Sequence, residues 1–255
     1  MKKLLLSLLV TLAICACAKK GTTTAGQEDV TVTKIYNLVI LDRSGSMLPL
    51  RESAVLGYNG LLDVVRSAQQ DHQLEQQNLV TLTLFSDSIL TIYDCDTIAN
   101  IPDLLMDQYV PYGFTALLDA MGHSLTGLKE RLDSLQNATA VVTILTDGWE
   151  NASRNYTLEN VQALVDTLKT QGVMFVYMGT NQEVELIATI LHIDNHLSFD
   201  SNPTSLQLAL DSVMQASAHY YERMAQYNKD TKNMSKEERN EYLRTRNAQN
   251  NWFEQ

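Results

Sequence analysis

Ile35-Tyr36-Asn37-Leu38-Val39-Ile40-Leu41 runs without a break into Asp42-Arg43-Ser44-Gly45-Ser46, an apolar stretch that ends in oxygen donors. The first part has the composition of a strand and the second that of a loop. One carboxylate and two hydroxyls stand at alternate positions around a glycine that lets the backbone turn sharply. Such a loop is half of a nest for a small hard cation. The other half has to come from elsewhere in the chain.

Two later stretches can complete it. Gly113-Phe114-Thr115-Ala116-Leu117 brings a hydroxyl to the start of a helical pattern, and Leu145-Thr146-Asp147-Gly148 brings a carboxylate to the end of Ala140-Val141-Val142-Thr143-Ile144-Leu145. That unbroken apolar run is the signature of a strand buried on both faces. Asp42, Asp147, Ser44, Ser46 and Thr115, together with water, make an all-oxygen donor set suited to Mg²⁺ or Mn²⁺ rather than Zn²⁺. Hydroxyl ligands are neutral, so a divalent ion held largely by Ser44, Ser46 and Thr115 stays under-neutralised and draws an anionic oxygen from outside.

Around these stretches, strand and helix alternate. Leu50 to Gln69 has mostly helical apolar spacing, and Leu79–Phe85 with Ile89–Tyr93 forms a hairpin across Ser86-Asp87-Ser88. Pro102 suits the first turn of a short helix over Ile101–Met106. Ala116 to Leu135 carries a broad apolar stripe, and Thr139 to Thr146 is a strand. Thr157 and Asn160 open a helix that Gly172 ends, followed by a strand over Val173–Met178. Glu183–Leu191 is a short helix and Leu197–Phe199 a brief strand. Asn202-Pro203 then begins a long helix. This order predicts a doubly wound α/β domain: a mostly parallel sheet with one antiparallel edge strand and helices on both faces. Residues 222–255 are rich in charge, Asn and Gln and poor in aliphatics, which places them outside the core as a polar extension. The capping-box pattern Ser235-Lys236-Glu237-Glu238 makes that extension partly helical.

The 255 residues, 45% hydrophobic, suffice for one sizeable core. Met1-Lys2-Lys3 followed by Leu4 to Ile14 is a signal peptide, too short to span a membrane as a mature helix. Its end, Ile14-Cys15-Ala16-Cys17, resembles the lipobox of bacterial lipoproteins, which implies lipid on Cys17. The expected division is a signal peptide over 1–16, a lipidated Cys and flexible linker over 17–33, the α/β domain over 34–221 and the extension over 222–255. Loss of Lys2 and Lys3 takes the formal charge from −11 to −13. An acidic chain without a basic stripe is not a nucleic-acid binder. Cys95, the one thiol left, has two acidic neighbours and reads as inert.

Taken together, Asp42, Ser44 and Ser46, then Thr115, then Asp147 resemble the metal-ion-dependent adhesion site of von Willebrand factor A domains. The element order from Lys34 to about Tyr221 matches that family too. Tyr109-Val110-Pro111 and Asp147-Gly148-Trp149-Glu150-Asn151 look like uncharacterised bacterial members rather than integrins. The resemblance implies that the strands ending at Asp42 and Asp147 are neighbours at the switch point of the sheet. It further implies that Mg²⁺ (or Mn²⁺) sits there with an open position for a partner's Asp or Glu. In the family the serines and threonine coordinate directly, and the aspartates directly or through water. Arg43, Met47, Tyr112, Phe114, Trp149 and Glu150 fall in the same loops and are the expected partner contacts, with Trp149 a binding hot spot.

The expectation is a metal-dependent protein-binding module on an envelope membrane, the outer membrane or cell surface being favoured. Two alternatives are a structural or assembly factor with the metal only stabilising loops, and a metal-assisted hydrolase. For the latter, an aspartyl-phosphatase motif would need a second Asp where Ser44 stands, and the serines lack a Gly-x-Ser-x-Gly elbow. Asp119 and His123, four apart on one helix, read as a surface hydrogen bond or a solvated face rather than as metal ligands.

Overall fold

The computed structural model describes residues 32–180, 183–249, 252 and 253. The signal peptide and Cys17 lie outside them, as does all of the linker but its last two residues. The elements are β1 (Thr33–Asp42), α1 (Arg51–Asp71), β2 (Gln76–Phe85), β3 (Ile89–Thr97), α2 (Leu117–Ser134), β4 (Ala138–Leu145), α3 (Leu158–Thr170), β5 (Met174–Thr180), α4 (Val184–Ile190), β6 (Asn195–Phe199), α5 (Pro203–Asp230) and α6 (Lys236–Gln249). A six-residue 3₁₀ segment, Gly45–Leu50, leads into α1. Among the described residues no helix is long and apolar enough to cross a membrane.

β1 is buried on both faces, so it has to lie in the middle of the sheet. Ile35 and Leu41 pack into one layer, Tyr36, Leu38 and Ile40 into the other. Its neighbours are β2 and β4, both parallel. The sheet order is β3-β2-β1-β4-β5-β6, with β3 the antiparallel edge strand. This is the expected doubly wound architecture, with the strand order reversing between β1 and β4. The first layer is covered by α1, α5 and α6, the second by α2, α3 and α4.

Helix boundaries follow the caps. Thr157 and Asn160 form a reciprocal capping box on α3. Asn202 accepts from Ser205 N at 2.9 Å, with Pro203 in the first turn of α5. Cys95 sits in β3 with φ 59°, its thiol 3.4 Å from Thr81 Oγ1. Burial raises its pKa, which keeps it a thiol.

Three expectations need correction. No helix forms over 101–106. Asn59 of α1 instead accepts from Leu104 N and donates to Leu104 O, and Arg66 donates to Ile101 O, so α1 side chains satisfy backbone groups of the segment. Ile101 and Leu104 are drawn into the core by this extended path. The linker ends one residue earlier than expected, because Thr33 is already buried in β1. The largest correction concerns residues 222–255, which are not a free extension.

α5 runs on to Asp230, and α6 folds back across the end of the sheet where β1 and β4 begin. Arg239 donates to Ala138 O at 2.9 Å, Lys236 to Leu132 O at 2.7 Å, and Asn247 to Gly172 O at 3.0 Å. Leu243 and Trp252 are fully buried, Trp252 against the Tyr220 ring at 5.1 Å between centroids. The sequence conceals this because the inward face of α6 is a single leucine and an arginine whose guanidinium ends on backbone oxygen, too thin a stripe to read as amphipathic. Trp252→Ala is expected to lower the unfolding free energy by about 3–5 kcal/mol in chemical denaturation, the cost of emptying a large aromatic site; a free tail would show no change.

Candidate metal centre

The chain leaves β1 toward α1 in one layer and leaves β4 toward α3 in the other, so a crevice opens between the two strand ends. Asp42 closes β1 and Asp147 follows β4 by two residues. The sheet register sets Leu41 opposite Leu145, which brings both acids to the same crevice.

Asp42 is fully buried. Its Oδ1 accepts from Ser44 N at 2.6 Å and its Oδ2 from the Thr146 hydroxyl at 2.6 Å. Its main-chain carbonyl accepts from the Tyr109 phenol. Burial pushes the Asp42 pKa up to about 6, the Thr146 and Ser44 hydrogen bonds oppose the rise, and the neighbouring Asp147 charge adds to it. Asp147 accepts from the Ser46 hydroxyl at 2.6 Å, and the Ser44 and Ser46 hydroxyl oxygens are 3.1 Å apart. Burial raises the Asp147 pKa as well, against the Ser46 bond. Its carbonyl is held by Thr180 Oγ1 at 2.7 Å.

Thr115 reaches the crevice from the start of α2. A Cβ on Gly148 would lie 3.3 Å from Thr115 Oγ1, so the loop after β4 passes directly against that hydroxyl. Gly113 supplies the sharp approach: its φ is +75°, a conformation that favours glycine, and its carbonyl accepts from Gly45 N at 3.0 Å. The structure therefore gathers the five expected donors from the ends of β1 and β4 and the start of α2.

The donor set has the chemistry of a hard-cation site. Every donor is oxygen, and neither Asp42 nor Asp147 has an ion-pair partner among the described residues. Among those residues no three His, Cys, Asp or Glu converge, so a nitrogen- or sulfur-rich site is absent from them. A buried and a half-buried carboxylate joined by serine hydroxyls are donors of the type that hard cations such as Mg²⁺ or Mn²⁺ favour over Zn²⁺.

The expected partner contacts divide. Tyr112, Phe114 and Trp149 are at the surface, 44%, 67% and 38% exposed. Met47 is fully buried, its 3₁₀ segment turning it into the core. Arg43 is also buried: its guanidinium lies 4.8 Å from the Tyr112 ring centroid and donates to Tyr112 Oη at 3.0 Å. It props the Tyr112 loop rather than facing outward. Glu150 turns inward, accepting from Leu118 N at 2.8 Å and from Ser153 N and Oγ, both at 2.6 Å. Leu48 and Val110, which sequence reasoning passed over, are exposed on the same loops.

Asp119 is not on a solvated face. It is buried and accepts from Arg154 N, Asn155 N and Tyr156 N, while His123 is exposed. Burial alone would raise its pKa, and those hydrogen bonds more than offset it and hold it below the usual carboxylate range. Thr146, Glu150, Asn151 and Asp119 are the supporting residues that sequence reasoning missed. The one available signal was a dense run of short polar residues after Asp147.

No family model and no curated protein sequence matches the chain. Solved structures do. The SpaC pilus adhesin of Lactobacillus rhamnosus GG in its open conformation aligns with TM-score 0.54 at 12% identity, over 74% of this chain and 30% of that one. A von Willebrand factor type A protein from Catenulispora acidiphila aligns with TM-score 0.52 at 15% identity, over 73% and 43%. A mutant of the PilB minor pilin from Streptococcus sanguinis aligns with TM-score 0.51 at 14% identity, over 75% and 63%. The chain thus spans less than two thirds of each of these proteins. The fold is that of von Willebrand factor A domains.

The folded-state pKa of Asp42 lies above its unfolded value of 3.8, so its proton stabilises the fold fully below about pH 4, and this contribution is lost as pH rises through about 6. In chelator, the unfolding free energy is expected to fall by roughly 3 kcal/mol between pH 4 and 8 on this account. Asp42→Asn should flatten that slope in denaturant titrations at both pH values.

Proposed function

We propose that this chain is a divalent-cation-dependent protein-binding module, not an enzyme, held on an envelope membrane by lipid on Cys17. Its place is the outer membrane or cell surface. Asp42, Ser44, Ser46, Thr115 and Asp147 would hold Mg²⁺, or Mn²⁺, and a partner's Asp or Glu would complete the site. The observation that carries this reading is the meeting of Asp42, Ser44, Ser46 and Asp147 at the switch point, with the Thr115 hydroxyl against Gly148 and neither carboxylate paired with a cationic side chain among the described residues.

Mg²⁺ supplies an electrophilic position that an external carboxylate can fill. The chain's own residues do the rest. Ser44 N and Thr146 Oγ1 orient Asp42, Ser46 orients Asp147, and Arg43 with Tyr112 shapes the rim. Phe114 and Trp149 offer exposed aromatic surface beside the crevice, the residue type that anchors interfaces. Surface proteins built on the same fold, a pilus adhesin and a minor pilin, agree with attachment as the task.

Affinity capture of envelope proteins on the immobilised domain, in Mg²⁺ and in EDTA, tests the reading. Binding is expected in Mg²⁺, with release by EDTA while circular dichroism remains native, and none with Asp42→Ala. Retention in EDTA would favour the assembly-factor alternative. Hydrolysis of phosphoesters or peptides that disappears in Asp147→Ala would favour the hydrolase. A second expectation separates the aromatics from the metal: Trp149→Ala should weaken capture about tenfold or more and leave Mg²⁺ affinity unchanged.

A further inference from the structure

α2 begins without a cap of its own. Ala116 stands at the N-cap and offers no side-chain acceptor, so the first-turn N–H groups must be satisfied from elsewhere. The loop after β4 does this. Glu150 accepts from Leu118 N at 2.8 Å, and Ser153 Oγ accepts from Asp119 N at 2.9 Å.

The fastening exceeds what a helix cap needs. Asn151 closes a reciprocal pair with Thr115: its Oδ1 accepts from Thr115 N at 2.8 Å and its N donates to Thr115 O at 3.0 Å. The free edge of Glu150 gathers Ala152 N at 2.8 Å and Ser153 N at 2.6 Å. From the other side, Asp119 takes Asn155 N and Tyr156 N at 2.8 Å, with Arg154 N and Asn155 Nδ2 at 3.0 Å. Carboxylates receiving several N–H bonds give strong, directional contacts. The segment carrying Asp147 is thereby bolted to the segment carrying Thr115.

We infer that Asn151, Glu150 and Asp119 are positioning residues of the metal centre, which hold the Thr115 hydroxyl and the Asp147 carboxylate as one preassembled half of the donor set. This rests on the metal reading above. A small cation with strict octahedral demands binds well only where its donors are already in place, and groups that orient ligands are typically worth 10–100-fold in affinity. Asn151 is the most informative of the three. Its residue is exposed, so truncating it opens no cavity, yet its side-chain oxygen holds the main-chain N–H of Thr115, while the Asn151 N–H bond to Thr115 O survives truncation.

Mg²⁺ titration calorimetry on the full chain tests this with wild type, Asn151→Ala, Thr115→Ala and the double variant. Asn151→Ala is expected to weaken Mg²⁺ binding about tenfold, with the metal-free melting temperature within about 2 °C of wild type. Asn151→Asp, which keeps the acceptor, should retain at least wild-type affinity. In the Thr115→Ala background the Asn151 truncation should have a markedly smaller effect, because only its hold on the Asp147 segment is then left to lose. Wild-type affinity in Asn151→Ala overturns the inference, as does an equal loss with and without the Thr115 hydroxyl. A wild-type protein that takes up neither Mg²⁺ nor Mn²⁺ overturns the metal reading itself, and this inference with it.

Discussion

The Asp42 carboxylate is clasped between Ser44 N and Thr146 Oγ1 at the end of a central, largely buried strand. A carboxylate taken out of water without a counter-charge is costly, and here the Asp147 charge beside it adds to the cost. That cost falls at the reversal of strand order between β1 and β4. Much of what surrounds the crevice serves to keep these two acids in position. The Ser46 hydroxyl holds one, Thr146 holds the other, and Tyr109 fixes the carbonyl behind Asp42. Such stored electrostatic strain at a strand end is a common mark of a functional site.

The two ends of the sheet are built differently. At the carboxyl end, polar loops are cross-linked by side-chain to backbone hydrogen bonds, and aromatic residues are left facing solvent. At the opposite end, α6 closes over the starts of β1 and β4 with a buried arginine that ends on backbone oxygen, and Trp252 is buried against Tyr220 beside the start of β6.

The architecture was legible because its signals are local. An apolar strand buried on both faces, two such strands ending in acids, and caps at Thr157 and Asn202 each declare themselves within a few residues. The placement of the proposed donors has the same local basis: Asp42, Ser44, Ser46, Thr115 and Asp147 each sit next to a strand end or helix start. What failed depended on partners distant in sequence. Whether 101–106 coils or extends was decided by Asn59 and Arg66 on α1, and the tail was drawn in by contacts to Ala138, Gly172 and Tyr220. Met47, Arg43 and Glu150 share loops with the proposed donors, and only the loop geometry shows that they point inward.

The most direct measurement is anomalous diffraction from crystals of the domain grown with Mn²⁺. One strong peak is predicted in the crevice between β1 and β4, about 2.2 Å from the Ser44 and Ser46 hydroxyl oxygens, with Asp147, Thr115 and Asp42 bound directly or through one water. Absence of a peak there at saturating Mn²⁺, with Ser46 still hydrogen-bonded to Asp147, would contradict the account.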